Sequence, residues 1–215
     1  LSGGRAGVCC TFRVLCKDAE GVKRTLGGDV VSAMLSYDDG FPPMEAHVMD
    51  NTDGTYTLAY TPMHASSACK LDVLINGTHV QGSPFSPQVT AGEMETSNTE
   101  IFGRGLYDGQ SGRPAMFTIQ TKDSFGNRCS TPGIKFLVKV TLSKSLVPEF
   151  EAHLKHYEPL VEVMDAGDGT YTCTFTPAQA GFYSIQVTRD SVPVGRSPYR
   201  TCIFNDSIAF PPTVV

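Results

Sequence analysis

An internal duplication constrains the fold of this chain more than any other feature of its sequence. The phrase DNTDGTYTLAYTP at residues 50–62 returns as DAGDGTYTCTFTP at residues 165–177. In both phrases an Asp-Gly pair precedes a Thr-Tyr-Thr segment, and glycine tolerates the positive φ that a tight turn before a strand requires. The repeated phrase therefore predicts a turn that opens a core strand, once in each of two copies of one structural unit.

Two further anchors flank this phrase in the same order in both copies. FRVLCKDAEG at residues 12–21 aligns with FTIQTKDSFG at residues 117–126, and VQGSPF at residues 80–85 aligns with VGRSPY at residues 194–199. The chain is long enough to bury two cores of about 100 residues each. The second copy holds roughly ten extra residues, which fall in a longer connection at residues 142–160.

Side-chain alternation predicts that each copy is built from short β-strands, about seven per hundred residues, which is typical of an antiparallel β-sandwich. Along the third strand of each copy, inward positions alternate with outward ones. In the first copy the inward residues are Val31, Ala33 and Leu35 and the outward residues are Val30, Ser32 and Met34. In the second copy the inward residues are Ile134, Phe136, Val138 and Val140, and the outward residues are Lys135, Leu137 and Lys139.

Five motifs in a fixed order resemble the immunoglobulin-like filamin repeat. They are GRGLYDG at residues 103–109, FTIQTKDSFG, the two DGTY phrases, GFYSIQV at residues 181–187, and GSPF at residues 82–85. The resemblance implies an all-β fold of two tandem immunoglobulin-like antiparallel β-sandwiches.

The resemblance also implies a division into domains. Residues 1–89 form the first filamin-type repeat, residues 90–99 a linker, residues 100–204 the second repeat, and residues 205–215 a tail or the start of a further segment. In the first copy the opening strand is truncated, since Leu1 aligns with the Leu of GRGL. The start of the chain has no apolar segment typical of a signal peptide and is interpreted as a cut within a longer protein.

The function implied by the resemblance is that of a non-catalytic interaction and scaffold fragment of a longer multidomain protein, which also acts as a spacer rod. Filamin-type repeats use the third and fourth strands as a groove that binds extended peptide segments of other proteins by β-strand addition. In the first copy the candidate partner-binding residues are Val30, Ser32, Met34, His47 and Met49. An ordinary sheet edge with scattered apolar residues is the alternative interpretation.

We expect partners to prefer the first copy, because its short connection at residues 36–43 leaves the edge uncovered. In the second copy, prolines at both ends of EFEAHLKHY predict a short helix or an ordered flap beside the groove. Two other roles stay open. One is an adaptor module of a tripartite-motif-like ubiquitin ligase, because the segment GGDVVSAML at residues 27–35 also resembles the repeats of such ligases. The other is an extracellular adhesion module of a cell-surface protein, such as a gamete protein.

No catalytic, cofactor or metal site is predicted. None of the five histidines belongs to a zinc-binding pattern, and His153 and His156, three residues apart, are interpreted as a solvated face. With 17 basic and 22 acidic residues the net charge is −5, which argues against nucleic acid or an anionic membrane as the main partner. Membrane contact is expected only through other parts of a longer protein, and this fragment does not by itself imply actin binding.

The cysteines and sequons bear on the compartment. An odd count of seven without regular spacing favours buried free thiols in the cytoplasm, where a scaffold would associate with the cytoskeleton. If the alternation holds, Cys10, Cys16 and Cys69 point inward, and a Cys10–Cys69 or Cys16–Cys69 disulfide is the alternative. Asn76 in NGT is a candidate glycosylation site for the extracellular role, although Asn-Gly is also a turn signal.

Overall fold

The computed structural model describes residues 3–146 and 158–205, and the chain divides into two compact units between Gly92 and Glu93. We call these units repeat 1 and repeat 2. Both are built of strands, and in the described ranges the only helical element is a 3-10 turn at Arg104–Leu106. The predicted pair of β-sandwiches is therefore confirmed.

Repeat 1 consists of two facing sheets. One has the strand order β2-β6-β5 and the other β4-β3-β7-β8, while β1 and β9 form a short parallel pair. The strands are β1 (Gly4–Arg5), β2 (Cys10–Leu15), β3 (Val31–Tyr37), β4 (Met44–Glu45), β5 (His47–Asp50), β6 (Thr55–Tyr60), β7 (Cys69–Ile75), β8 (Thr78–His79) and β9 (Val89–Thr90).

Repeat 2 follows the same plan with longer strands. Its sheets have the orders β10-β12-β15-β14 and β11-β18-β16-β13, with β17 paired to β16. The strands are β10 (Glu100–Phe102), β11 (Asp108–Gln110), β12 (Ala115–Gln120), β13 (Leu137–Ser145), β14 (Val161–Asp165), β15 (Thr170–Phe175), β16 (Gly181–Arg189), β17 (Val192–Pro193) and β18 (Tyr199–Phe204). All pairs are antiparallel except β11 with β18.

The predicted phase of the third strands is confirmed by burial. In β3, Ala33 and Leu35 are buried in the core of repeat 1 while Ser32 and Met34 are exposed. In β13, Val140 is buried and the outward positions are exposed. The alternation predicts these faces because successive side chains of a strand point to opposite sides of the sheet.

The repeated DGTY phrase forms the same turn in both repeats. The carboxylate of Asp53 accepts hydrogen bonds from the N–H (3.0 Å) and the hydroxyl (2.5 Å) of Thr55, and Asp168 makes the same two contacts with Thr170. In repeat 1, Gly54 lies between Asp53 and Thr55 and has φ of 77°. A Cβ at Gly54 would lie 1.9 Å from the carbonyl oxygen of Arg24. Glycine is therefore required both by backbone conformation and by the close approach of another chain segment.

The Asp that begins each phrase, Asp50 or Asp165, connects the turn to the segment that precedes the third strand. Asp50 Oδ2 accepts from the N–H of Gly28 at 2.8 Å, and Asp165 Oδ2 accepts from the N–H of Gly133 at 2.6 Å. These contacts satisfy backbone donors that no sheet neighbour reaches. The phrase is thus a structural device, repeated because the module is repeated.

The stretch predicted as a linker is partly built into repeat 2. Met94 packs against the core of repeat 2, Thr99 is 3% exposed, and the N–H of Glu95 donates to the carbonyl of Lys122 at 2.7 Å. The polar sequence of residues 90–99 did not predict these contacts with repeat 2, because they are made by isolated side chains and backbone groups and not by a strand with alternating apolar residues. The longer connection also differs from its predicted bounds, since its first residues up to Ser145 continue β13.

Candidate functional site

The candidate site is the outer edge of β3, the side of the strand that faces away from β7. β3 pairs with β7 along its whole length. The N–H of Asn76 donates to the carbonyl of Val30 at 2.7 Å, so the even-numbered residues of β3 bond toward β7. The odd-numbered residues Val31 and Ala33 consequently direct their N–H and C=O groups toward the outer edge.

The short strand β4 covers one half of this edge. Leu35 pairs with Met44, and the N–H of Ala46 donates to the carbonyl of Ala33 at 2.9 Å. The expectation that residues 36–43 leave the edge uncovered is therefore wrong for this half, because the chain turns back and adds β4 to the sheet. Within the described ranges, no strand pairs with the outer edge of β3 at Val31, whose partner in the sheet is Ile75 of β7.

The five candidate partner-binding residues are all exposed, and they fall into two groups. Val30, Ser32 and Met34 lie on the outer face of the sheet that contains β3. His47 and Met49 lie on the outer face of the opposite sheet, since Val48 between them packs against the core. The structure therefore does not bring the five side chains together into one continuous lining.

The corresponding edge in repeat 2 carries charge. Lys139 Nζ lies 2.8 Å from Glu158 Oε1, so the cation that faces outward on β13 is paired with the residue just before β14. Leu137, also outward, is 70% exposed. In the described ranges no strand pairs with the outer edge of β13. The predicted helix or flap, together with His153 and His156, falls within residues 147–157 and lies outside the described residues.

All seven cysteines lie in the described ranges and are free. Cys16 and Cys69 are buried and Cys10 is half-buried, and burial raises the pKa of the Cys16 and Cys69 thiols. Burial also raises the pKa of Cys173 to about 12. Protonated thiols are poor nucleophiles, so these side chains serve as small apolar core residues. The Cys10–Cys69 and Cys16–Cys69 pairings stay predictions for an oxidising environment.

The side chain of Asn76 is a structural element of repeat 1. Its Oδ1 accepts from the N–H of Val30 at 2.9 Å, and its Nδ2 donates to Asp29 Oδ1 at 3.1 Å. The residue itself has φ of 48° in the turn between β7 and β8. Because a glycan would be attached to Nδ2, glycosylation at Asn76 would disturb a contact that holds the start of β3.

A cluster of His64, Phe41, Tyr37 and Asp39 was not anticipated from the sequence. The His64 ring stacks on Phe41 with centroids 4.2 Å apart, and its Nε2 lies 2.5 Å from Asp39 Oδ2. The hydrogen bond with His64 is the main cause that lowers the pKa of Asp39. The cluster fastens the connection at residues 36–43 to the segment before β7, and so supports β4. Only the aromatic character of residues 37–41 signalled it.

Other chemistry is limited in the part of the chain that the structure describes. There, no three His, Cys, Asp or Glu side chains come together in a way that could hold a metal ion. Among residues 3–146 and 158–205, no helix has the length and hydropathy needed to cross a bilayer. What the site offers is hydrogen-bonding backbone at a sheet edge.

Comparison with known proteins agrees with this architecture. Filamin-C of Rattus norvegicus is 28% identical over 160 residues, which are 74% of this chain and 5% of filamin-C. The E3 ubiquitin-protein ligase TRIM45 of Bos taurus is 40% identical over 93 residues, 43% of this chain and 16% of the ligase. This chain thus spans a small part of these curated relatives.

A solved structure shares the fold. The Escherichia coli adhesin FdeC matches with a TM-score of 0.54 and 21% identity, over 95% of this chain and 62% of the adhesin chain. The family model of the Filamin/ABP280 repeat matches residues 1–86 and 93–200. Both copies recognised in the sequence are thereby covered, and the chain belongs to the filamin repeat family.

Proposed function

We propose that this chain is a non-catalytic interaction and scaffold module that binds extended peptide segments of partner proteins by strand addition. The observation that carries the proposal is the uncovered half of the β3 edge, where Val31 directs its N–H and C=O away from β7. Unpaired strand edges are the surfaces to which an extended peptide adds.

The side chains around this edge suit such a partner. Val30 is 71% and Met34 41% exposed on the outer face of the sheet, and Ser32 lies between them. A small hydroxyl flanked by apolar side chains accepts alternate side chains of an added strand, and methionine adapts to irregular shapes. Since β4 occupies the other half, the added strand is short, and we expect the weak affinity typical of a transient interface.

The experiment selects peptides from a displayed library of random extended sequences against the intact chain, and titrates the selected peptides by calorimetry. Ser32→Glu should weaken binding because it places a charge beside the added strand. Val31→Pro should abolish it, because proline removes an edge N–H that β7 does not use. The matched control is Lys139→Glu on β13 of repeat 2. Loss of binding with Lys139→Glu and retention with Ser32→Glu would assign the site to repeat 2.

A second role, as an adaptor module of a tripartite-motif-type ubiquitin ligase, is favoured by the 40% identity with TRIM45, which exceeds the 28% identity with filamin-C. A RING or B-box segment in the full-length protein would support it. We place the module in the cytoplasm, associated with the cytoskeleton, rather than in an adhesive protein at the cell surface. The seven free thiols and the engaged amide of Asn76 support that placement.

A further inference from the structure

The strand β4 is an occupant of the outer edge of β3 that the chain itself supplies. Met44 lies opposite Leu35, and the N–H of Ala46 donates to the carbonyl of Ala33 at 2.9 Å. Met44 and Ala46 pack against the core of repeat 1, while Glu45 between them is exposed. β4 therefore already has the alternation of an added strand, with a large apolar and a small side chain pointing inward.

The pairing of β4 with β3 is too short to be a firm attachment by itself. β4 has two residues, and at His47 the chain passes into β5, which pairs with β6 in the other sheet. Edge segments with few hydrogen bonds open at a low free-energy cost even in a stable domain. The attachment of β4 therefore depends on the segment that precedes it.

Four side chains fasten that preceding segment, and we call them the latch: Tyr37, Asp39, Phe41 and His64. The rings of Phe41 and His64 stack with an angle of 5° between their planes. The Tyr37 ring meets both of them edge-on, with centroids 5.4 Å and 5.1 Å away. Asp39 Oδ2 lies 2.5 Å from His64 Nε2, and Asp39 Oδ1 accepts from the N–H of Phe41 at 3.2 Å. The latch thus joins residues 37–41 to the segment before β7.

A stiff link connects the latch to β4. Only Pro42 and Pro43 separate Phe41 from Met44, and proline fixes the backbone φ, so the position of Met44 follows that of Phe41. The latch is of modest strength, because water reaches both partners of its ion pair: 25% of the His64 side chain is exposed and 50% of its acidic partner. When the latch opens, β4 is tethered through β5 alone.

Repeat 2 has a different residue at the centre of the latch. The duplication that aligns Tyr171 with Tyr56 aligns Gln179 with His64. In the described ranges, no strand pairs with the outer edge of β13, the counterpart of β3. The module therefore folds without a histidine at this position, and among the described residues the latch and the occupant that it holds occur together in repeat 1.

We propose that β4 is a displaceable occupant of the partner edge, and that the latch sets how readily a partner peptide replaces it. The inference rests on the strand-addition function proposed above and concerns its control. The incoming peptide runs antiparallel to β3 in the register of β4, with a large apolar residue opposite Leu35 and a small one opposite Ala33. These side chains restore the core contacts that Met44 and Ala46 give up, so the cost of the exchange is mainly that of opening the latch.

Two measurable quantities depend on this one equilibrium. Because β4 leaves before the peptide takes its place, the apparent affinity is reduced by the fraction of molecules in which β4 is detached. The amide of Ala46, which is bonded to Ala33, exchanges with solvent in the same detached state. A change that weakens the latch should therefore raise the affinity and speed the exchange of the Ala46 amide by the same factor.

The test titrates the intact chain with a fluorescein-labelled peptide, PMEASVT, whose Met, Ala and Val should lie opposite Leu35, Ala33 and Val31. His64→Gln introduces the residue that repeat 2 has at this position. It should strengthen binding and speed exchange of the Ala46 amide, each by roughly three- to tenfold, the range expected for an aromatic contact and an exposed ion pair. His79→Gln makes the same change at a histidine that contacts Ser83 and should alter neither quantity.

A reversible lock tests displacement in the opposite direction. Met34 and Glu45 lie directly opposite each other, and opposed residues of an antiparallel pair, with Cα atoms about 4.5–5.5 Å apart, can carry a disulfide. Oxidation of the double variant Met34→Cys with Glu45→Cys should weaken peptide binding at least tenfold, and reduction of the same sample should restore it. The parent chain, taken through the same oxidation and reduction, corrects for its own thiols.

Two references accompany these measurements. Unchanged exchange at the amides of β6, in the other sheet, shows that repeat 1 of each variant is folded. The peptide PEMASVT has the same composition but turns its Glu toward the core, and should bind at least tenfold more weakly. Equal binding of the two peptides would overturn the proposed register.

Equal affinity of the oxidised and reduced double variants would overturn the proposal, as would a His64→Gln variant in which both the affinity and the exchange of the Ala46 amide are unchanged. The strand-addition function would survive either result, provided that the peptide still protects the amides of β3. A lack of protection at β3 in the parent chain, in His64→Gln and in the reduced double variant would instead overturn that function, and with it this control.

Discussion

The hydroxyl oxygen of Tyr171 accepts a hydrogen bond from the backbone N–H of Ile134 at 3.0 Å, and joins a core strand to the approach of the third strand of repeat 2. Tyr56 makes the same contact with the N–H of Asp29 at 2.7 Å in repeat 1. Both rings are 1% exposed. The tyrosine of the repeated phrase therefore fills the core and also fixes where β3 or β13 begins.

Replacing Tyr171 with Ala should reduce the free energy of unfolding of repeat 2 by roughly 3–5 kcal/mol, because a buried aromatic ring is lost. Tyr171→Phe keeps the ring and should cost about 1 kcal/mol, the contribution of one hydrogen bond. Leu137→Ala, at an exposed outward position, should cost little. Urea denaturation measures all three. Equal losses at Leu137 and Tyr171 would contradict the phase assigned to the strands.

Gly169→Ala should destabilise repeat 2 strongly. Gly169 has φ of 84°, and a Cβ there would lie 1.9 Å from the carbonyl oxygen of Cys129, so the turn must open. The control is Gly167→Ala, which has the same φ but no atom within 4 Å of its Cβ, and should cost about 1–2 kcal/mol from backbone strain alone. Thermal denaturation of both variants compares the two effects. A similar loss of stability in Gly169→Ala and Gly167→Ala would show that the close approach of Cys129 to residue 169 is unimportant.

The Asp39–His64 contact should make repeat 1 sensitive to acid. The hydrogen bond with His64 lowers the pKa of Asp39 in the folded chain. The stabilisation from this contact is therefore complete at a pH above the pKa of Asp39 in the unfolded chain, near 3.9. It is lost as the pH falls through the lower pKa that Asp39 has in the folded chain. Asp39→Asn should therefore be less stable than the parent chain at about pH 5–6, and the difference should vanish toward pH 2–3.

Asp38→Asn is the matched control for that prediction, since Asp38 forms no ion pair with any residue that the structure describes. It should follow the parent chain across the same pH range. A pH dependence of Asp38→Asn that equals that of Asp39→Asn would attribute the effect to net charge and not to the contact with His64.

The thiols should react in an order set by burial. Cys9 is exposed and should react first with a disulfide reagent such as Ellman's reagent, whereas Cys16, Cys69 and Cys173 should react only on unfolding. Seven thiols should titrate in denaturant for protein purified without reductant. A count of five would show that a disulfide such as Cys10–Cys69 has formed.

Limited proteolysis should cut the chain near the boundary between Gly92 and Glu93 or within the longer connection of repeat 2. Cleavage at residues 94–99 should be slower, because Thr99 is buried and Glu95 is hydrogen-bonded to repeat 2. Mass spectrometry of the first fragments identifies where the chain is cut first. An initial cut within β15 would contradict the assignment of that strand to the core.

Much of this architecture follows from short-range patterns in the sequence. The Asp-Gly turns, the alternation along β3 and β13 and the burial of Tyr171 are set by backbone conformation and side-chain period, which local sequence records. The presence of two repeats follows from the duplication itself. These features require no knowledge of which distant segments meet.

The features that the sequence did not reveal depend on contacts between segments. β4 is only two residues long, and its pairing with β3 depends on how residues 36–43 turn back, which the His64 contact with Asp39 helps to hold. The separation of Met34 from Met49 onto different outer faces depends on which sheet each strand joins. The alternation predicts that Met34 and Met49 both point outward, but it does not predict whether they lie on the same sheet or on opposite sheets of the sandwich.

The parallel pairing of β11 with β18 has a mechanical consequence. β11 lies near the beginning of repeat 2 and β18 near its end, with Asp108 opposite Cys202 and Gln110 opposite Phe204. Tension applied to the two ends of the repeat would draw these strands lengthwise in opposite directions, so their hydrogen bonds are loaded together in shear instead of being opened one at a time. A module tied in this way resists stretching, and in single-molecule pulling it should yield in one abrupt force peak.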